Sequence, residues 1–525
     1  MASPFHFEHS LPFSPENPAE AEATLRLIPA EPGIFALRGH ETPGSTPAQP
    51  YLTRTADLRR RARRLLAPPD SQSKRLNLRD KVARIDYTVT GSEFESTLTL
   101  YHAAAALFGY AEARRRLKLT TPFFLRFTAE NSYPRVYSTN RLSKRALPNL
   151  YGPFPSRAAA DRYCDAVLDL FKLRRCYEDL APHPTHPGCV YQEMKKCLAP
   201  CNQAHLPEGA QAYAAESAAV HAFFDTHGES LLTQISHNRD QASADLDFER
   251  AAALHTQHQK VKAAAALADD LVQPIPRLRA VIVQRFAQRS PAVSALQQPA
   301  QPEAEAQQTL DSAHTDHAAV FLLHAGCLTG PEPLSTLGVR AVKEQTSVGS
   351  SLFAQPLMLQ AVPLPEPGTT GEPTPKSASD SPELRAAAVL AKLTDRIPYT
   401  PSAPPDMALL SDHLSLLRRW YYRPEKQRTG EIFFPNSDAA SPETAWPIRR
   451  ILRGAARAVL GDPRPMAETN REGAKEAVKG QKVKILHEGR PDVERTVPIY
   501  DPSDASPSEA EGQDPTDTFT SRRTR

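Results

Sequence analysis

The chain lacks any apolar segment near the roughly 20 residues that a transmembrane helix requires. Its mean hydropathy is −0.47, and 23% of its 525 residues are charged. The first residues, MASPFHFEHSLPFSPENPAE, contain neither the basic segment nor the continuous apolar segment of a secretory signal peptide. We therefore expect a cytoplasmic protein with no membrane partner.

Cysteine is scarce, at 6 residues, which excludes a disulfide scaffold for a chain of this length. Four of the cysteines are nevertheless grouped, at Cys176, Cys189, Cys197 and Cys201. Four thiolates in one segment need a soft metal, either an iron-sulfur cluster or a tetrahedral zinc ion. Because the paired C-x-x-C spacing of zinc ribbons is missing, the spacing favours iron-sulfur, with zinc as the alternative.

An excess of charge of one sign is also missing, since 63 basic residues face 60 acidic ones. The distribution of these charges along the chain is more informative than the net charge. Six arginines and one acidic residue lie between Arg54 and Arg64, and a second basic cluster follows at 114–118. A basic face of this kind is typical of proteins that bind a polyanion. The alternative is a solvated arginine-rich helix.

Proline, by contrast, is abundant, at 50 residues, and most of the excess follows residue 290. The predicted fold is an α/β N-terminal domain, a cysteine-cluster module, an α-helical hairpin, and then a poorly ordered Pro-rich C-terminal half. The predicted boundaries are a flexible N-terminus at 1–24, the α/β domain at 25–125, a hairpin, helix and metal-cluster module at 126–205, the helical hairpin at 206–268, a divergent α/β remnant with low-complexity insertions at 269–435, and a mostly disordered tail at 436–525.

Seven motifs in collinear order resemble the front half of the UvrC family, whose members belong to the bacterial excinuclease ABC. They are PGIF (32–35), YLTRTADLRRR (51–61), VTGSEFES (89–96), SYPRVY (132–137), YGPFPS (151–156), LRRC (173–176) and CVYQEMKKCLAPC (189–201). The resemblance implies a GIY-YIG endonuclease domain at 25–125, a 4Fe-4S cluster at the four grouped cysteines, and a role in nucleotide excision repair with DNA as a partner.

The same resemblance assigns the nuclease positions residue by residue. The retained positions are Tyr51, Arg54 and Arg61. The degenerate positions are Phe35, which replaces the GIY tyrosine, Leu100, which replaces the metal-binding glutamate, and Glu112, which replaces an asparagine. A leucine cannot bind Mg²⁺ or Mn²⁺, so either metal is expected only if the site is active.

The basic helix and a downstream segment provide the expected partner contacts. We expect Arg59, Arg60, Arg63 and Arg64 to neutralise DNA phosphates. Residues 244–254 resemble the UVR motif, by which the family docks on its partner protein UvrB. The resemblance assigns this docking to Leu246, Phe248 and Ala252, and the alternative is that these residues form the core of a local hairpin.

The leading hypothesis is therefore a UvrC-like repair protein that binds DNA, has a degenerate GIY-YIG site and lacks the family's RNase H-like nuclease domain. One alternative is an active single-incision endonuclease with an altered metal site, for example one that recruits Glu93 or Glu95. The other alternative is a non-catalytic iron-sulfur scaffold for protein partners.

Overall fold

The computed structural model describes residues 5–40, 49–68, 76–287, 317–339, 381–397, 406–424, 427–436 and 446–460, together with the backbone of 481–484 and 494–497. Within these residues the fold is mixed α/β, with three antiparallel four-stranded sheets in one compact unit that extends to residue 462.

The N-terminal sheet has the strand order β1-β4-β2-β3. Its strands are β1 (His9–Pro12), β2 (Gly33–Arg38), β3 (Tyr51–Thr55) and β4 (Arg84–Val89). The prediction of a flexible segment at 1–24 is wrong, because β1 pairs with β4 and helix α1 (Pro18–Leu27) follows it. Burial of Phe13, Ala21 and Leu25 in the core beneath the sheet orders this segment.

Three further helices complete the N-terminal part: α2 (Leu58–Leu66), α3 (Glu93–Phe108) and α4 (Tyr110–Leu117). Helix α2 begins where Asp57 accepts the backbone N–H of Arg60, and α3 begins where Ser92 accepts that of Glu95. Helix α3 ends at Gly109, whose φ of 84° suits glycine.

The middle sheet has the order β6-β5-β7-β8. Its strands are β5 (Phe123–Phe127), β6 (Val136–Thr139), β7 (Leu150–Phe154) and β8 (Gln273–Pro274). The predicted hairpin is confirmed, since Phe127 pairs with Val136. Helix α5 (Arg157–Leu170) follows, and the cysteine segment contains the short helices α6 (Val190–Glu193) and α7 (Pro200–Gln203).

The segment predicted as a helical hairpin forms three helices rather than two: α8 (Pro207–Asp225), α9 (Glu229–Ala244) and α10 (Phe248–Ala265). The additional break is at Gly228, whose φ of 88° interrupts the helix. Helices α9 and α10 pack against each other, and Asp247 caps α10.

A third sheet lies within the α/β remnant predicted at 269–435. Its order is β11-β10-β9-β12, with β9 (Arg279–Arg285), β10 (His317–His324), β11 (Cys327–Ser335) and β12 (Glu431–Phe433). Helices α11 (Pro382–Asp395), α12 (Met407–Tyr421) and α13 (Ile448–Leu460) pack with it. Helix α13 lies inside the predicted disordered tail, where Ile451 and Ala455 are fully buried. The second unit, 463–525, contains the antiparallel pair β13 (Gln481–Lys484) and β14 (Glu494–Val497).

Helix α12 joins the N-terminal and C-terminal parts in one core. The ring centroid of Phe94 on α3 lies 5.1 Å from that of Trp420 on α12 and 5.1 Å from that of Phe321 on β10. Tyr101 of α3 and Leu414 of α12 belong to the same buried cluster. The face of α3 that carries these residues is therefore fixed against the C-terminal half.

Candidate functional site

Two of the predicted catalytic residues meet beside the N-terminal sheet. Tyr51 opens β3, and Arg61 lies one turn into α2. The guanidinium of Arg61 donates a hydrogen bond to the Tyr51 hydroxyl, with an Nη2–Oη distance of 3.2 Å. Both side chains are partly exposed, so the pair is accessible from solvent.

The position of the missing tyrosine lies directly beside this pair. Phe35 is 1% exposed, and its ring centroid is 6.3 Å from that of Tyr51. The two residues are diagonal neighbours across β2 and β3, because Phe35 pairs with Thr53. Phe35 packs in the core and offers no hydroxyl to this site.

The carboxylates near the missing glutamate are held by other groups. Leu100 is half-buried on α3. Glu112 lies on α4, where hydrogen bonds from Arg115 and Arg116 lower its pKa to about 2. Glu95 is buried, accepts the backbone N–H of Gly91 at 2.8 Å, and has a pKa raised to about 7 by that burial. The hydrogen bonds of these two glutamates in the described structure therefore go to groups other than the Tyr51–Arg61 pair.

The third retained residue, Arg54, binds Glu93 instead of the Tyr51–Arg61 pair. Its Nη1 lies 2.8 Å from Oε1 of Glu93. Arg423, just past α12, donates to both oxygens of the same carboxylate, at 2.6 and 3.0 Å. The hydrogen bonds from Arg423, followed by those from Arg54, lower the pKa of Glu93 to about 2 although partial burial opposes them. Glu93 is therefore an ionised carboxylate held by two guanidinium groups.

The four arginines predicted to bind DNA divide into two pairs. Arg60 and Arg64 are exposed on α2. Arg59 donates instead to the backbone carbonyl of Ile28 at 2.6 Å, and Arg63 forms an ion pair with Glu22 of α1 at 2.6 Å. Half of the predicted cluster thus helps to fix α2 on α1.

The four grouped cysteines share one neighbourhood, although their side chains do not converge on a point. Within the described residues, no group of three or more His, Cys, Asp or Glu side chains is arranged to hold a metal ion. Cys197 and Cys201 are buried, and Cys176 and Cys189 are partly exposed. Burial, and after it the proximity of the other three cysteines, raises the pKa of the Cys197 thiol to about 11, against the opposing hydrogen bond from Ala199.

Hydrogen-bond donors point at three of these sulfur atoms. The backbone N–H of Ala199 donates to Sγ of Cys197 at 3.3 Å, and the Arg174 guanidinium lies 3.9 Å from Sγ of Cys176. Backbone N–H groups of Cys201 and Asn202 lower the pKa of Cys201, against the larger effect of burial. Donors of this kind stabilise a thiolate at these three sulfur atoms.

The residues that resemble the UVR motif are exposed at the turn between α9 and α10. Leu246 is 72% exposed and Phe248 is 66% exposed. Ala252, one turn further along α10, is exposed too. These residues do not form the core of a local hairpin, which was the alternative interpretation.

Sequence reasoning missed the contribution of Arg423. The residue is 330 positions from Glu93, and no motif surrounds it. Only the packing of α12 on α3 brings the two together, so a local pattern could not have identified the contact.

Comparisons with known proteins find similarity to part of the chain. Residues 123–223 match the family described as the UvrC/Cho excinuclease, middle domain. The UvrABC system protein C of Pasteurella multocida (strain Pm70) is 29% identical over 213 residues, which cover 41% of this chain and 34% of the relative. The protein of the same name from Shigella dysenteriae serotype 1 is 26% identical over 243 residues, which cover 46% of this chain and 40% of the relative.

The match is partial in length. The chain spans about two fifths or less of the length of these curated relatives. No solved structure matches the chain. No helix among the described residues is both long and apolar enough to cross a membrane. Over less than half of its length, the chain is thus similar to UvrABC system protein C, and residues 123–223 carry the match to the UvrC/Cho middle domain.

Proposed function

We propose that the chain is a nucleotide-excision-repair protein that binds DNA through a GIY-YIG-like N-terminal domain whose endonuclease site is degenerate. The observation that supports this proposal most directly is the set of hydrogen bonds that Glu93 accepts. It is the carboxylate next to the retained residues, and Arg54 and Arg423 occupy both of its oxygens. In the described structure, neither oxygen of Glu93 is therefore free to bind a metal ion.

The Tyr51–Arg61 pair still has a chemical role without the metal. An arginine hydrogen-bonded to a tyrosine presents a fixed positive charge to a phosphodiester. Such a group binds the phosphate and orients it. Without a metal-binding carboxylate at Leu100, it does not complete the one-metal cleavage of the family.

In the described strands of the C-terminal sheet, the carboxylates are paired with basic side chains. The carboxylates on its described strands are Glu332 of β11 and Glu431 of β12. Glu332 forms ion pairs with Lys392 and Arg396, and Glu431 forms one with Arg457 at 2.6 Å. Carboxylates neutralised in this way are poor ligands for a catalytic metal.

The cysteine segment and the α9–α10 turn extend the proposal to a cofactor and a partner. Cys176, Cys189, Cys197 and Cys201 would hold a 4Fe-4S cluster, with zinc as the alternative, and the cluster would tie the segment 176–201 together. Leu246 and Phe248 would dock on UvrB, since two large exposed apolar side chains at one turn are suited to an apolar groove.

DNA binding is tested with the full-length chain and a duplex of arbitrary sequence. We expect binding that does not depend on sequence and weakens steeply with salt. The double substitution Arg60→Gln, Arg64→Gln should reduce the slope of log K against log salt by about 2, since each phosphate contact contributes about 0.9. Arg239→Gln on α9 is the matched control. An affinity that does not change with salt concentration would instead favour the non-catalytic scaffold.

A further inference from the structure

A small pocket lies where α3 meets α12, next to the retained Arg54. It encloses about 80 Å³, and its lining includes Arg54, Glu93, Thr97, Arg419, Trp420 and Arg423. Three guanidinium groups and one carboxylate leave the lining with an excess of positive charge. A pocket with this charge favours an anion.

The wall provided by α12 is fixed by hydrogen bonds to the backbone. Arg419 donates to the carbonyl of Leu117 at 2.6 Å and to that of Lys118, at the end of α4. The indole N–H of Trp420 donates to the carbonyl of Thr429 at 3.1 Å. These two side chains are therefore held in place before any ligand enters.

Glu93 and its two arginine partners are in contact with solvent. Its side chain is 44% exposed, and those of Arg54 and Arg423 are 41% and 32% exposed. Ion pairs in contact with water are weak, because the solvent screens both charges. A phosphate presents more oxygens and more negative charge than a carboxylate, and arginine binds it with two parallel hydrogen bonds.

We propose that this pocket binds a phosphate group between Arg54 and Arg423, and that Glu93 occupies the position of that phosphate in the unliganded chain. The proposal deepens the DNA-binding function proposed above and rests on it for the source of the ligand, the end of a nucleic-acid strand. Free phosphate is the other source of the same chemistry.

The test measures binding by the full-length chain of three probes: a 5′-phosphorylated single-stranded oligonucleotide, the same oligonucleotide without the phosphate, and inorganic phosphate. Trp420 lines the pocket, so the quenching of tryptophan fluorescence reports binding there in a Trp446→Phe chain, in which Trp420 is the one remaining tryptophan. We expect the 5′-phosphate to tighten binding about tenfold and inorganic phosphate to compete. Equal affinity for the two oligonucleotides would overturn the nucleic-acid source, and no response to inorganic phosphate at any concentration up to millimolar would overturn the pocket itself.

Two substitutions of opposite effect accompany this test. Arg423→Gln should abolish the preference for the 5′-phosphate, whereas Glu93→Gln should strengthen the binding of phosphate, a gain that a misfolded chain cannot give. Arg239→Gln, far from the pocket in sequence and on α9, is the control. A Glu93→Gln chain that binds phosphate no better than the unsubstituted chain contradicts the displacement of Glu93. If the unsubstituted chain does not bind duplex DNA but still prefers the 5′-phosphorylated oligonucleotide, the proposed function is contradicted and the phosphate pocket is supported.

Discussion

Glu93 and Glu95 lie two residues apart in the first turn of α3, yet their pKa values shift in opposite directions. Two positions on a helix differ by about 200° around its axis, so the side chains face different surroundings. Glu93 faces Arg54 and Arg423, which lower its pKa to about 2. Glu95 points into the protein, where burial raises its pKa to about 7.

The raised pKa of Glu95 predicts a pH dependence of stability. The folded chain binds the proton more tightly than the unfolded chain, whose glutamate has its ordinary pKa of 4.5. The contribution to stability is therefore complete below pH 4.5 and is lost as the pH rises through about 7, at a cost of about 3 kcal/mol. We expect Glu95→Gln to raise the free energy of unfolding relative to the unsubstituted chain more at pH 8 than at pH 5. Glu93→Gln, measured in the same urea titrations, should not show this pattern, and an equal effect of Glu95→Gln at both pH values would disprove the assignment.

Individual site residues were predictable from the sequence only where a local motif surrounds them. The resemblance to a known motif singled out Tyr51 and Arg61, and the structure brings them to 3.2 Å. The replacements expected at Phe35 and Leu100 rest on the same resemblance. Arg423 was not, because its role depends on a contact between helices 330 residues apart in the chain.

At the scale of single elements, cap residues and glycines determine which helix boundaries could be predicted. The start of α10 can be read from Asp247, because a cap acts on the backbone N–H three residues away. Gly228 was overlooked as a break between α8 and α9. Strand β1 was overlooked as well, since a four-residue edge strand with half of its residues exposed carries little apolar pattern.

The cysteine segment predicts a metal content. Chain purified without oxygen should contain about four iron and four sulfide per molecule, and Cys201→Ser should lower both and abolish the visible absorption of the cluster. Cys164→Ser is the control, because Cys164 lies in the core between α5 and the middle sheet. One zinc in place of iron would select the alternative metal. A chain with neither metal would contradict a metal site.

The turn between α9 and α10 predicts a loss of partner binding without a loss of stability. Phe248→Ser should weaken binding to purified UvrB at least tenfold, about 1.4 kcal/mol, because it removes an exposed apolar side chain from the expected contact. Its melting temperature should not fall, since Phe248 is 66% exposed. Leu384→Ser on α11, where the leucine is 51% exposed, is the matched control. Unchanged UvrB binding by the Phe248→Ser chain would rule out docking at this turn.

At the scale of the whole molecule, an ionic contact centred on a buried aspartate joins the N-terminal and C-terminal parts. Asp412 of α12 is 1% exposed. It accepts hydrogen bonds from Tyr101 of α3 at 2.9 Å and from Arg114 of α4 at 2.7 and 3.0 Å. A sequence pattern does not reveal such a contact, because its partners are about 300 residues apart. This explains why the sequence suggested separate N-terminal and C-terminal parts where the structure has one core.

This contact predicts a large effect of one substitution. Asp412→Ala should lower the free energy of unfolding by about 2 kcal/mol, since it leaves the buried Tyr101 hydroxyl without its acceptor, whereas Arg114, 36% exposed, can be solvated. Asp240→Ala, which removes an exposed aspartate of α9, should change it by less than about 0.5 kcal/mol. Urea denaturation followed by tryptophan fluorescence measures both. A similar small effect for the two variants would mean that the contact does not hold α12 to the N-terminal helices.

The central claim, a repair-family chain with a degenerate nuclease site, is tested most directly by incision of a damaged duplex. Protein purified without oxygen is assayed in Mg²⁺ and in Mn²⁺, with and without UvrA and UvrB, beside Arg61→Ala, Tyr51→Phe and the double substitution Phe35→Tyr, Leu100→Glu. We expect the unsubstituted chain to bind the duplex without cleaving it. Among these chains, metal-dependent cleavage is expected only of the double variant. Cleavage by the unsubstituted chain that disappears with Arg61→Ala would contradict the account, because it would require a metal ligand other than the carboxylates held by Arg54, Arg115, Arg116 and Arg423.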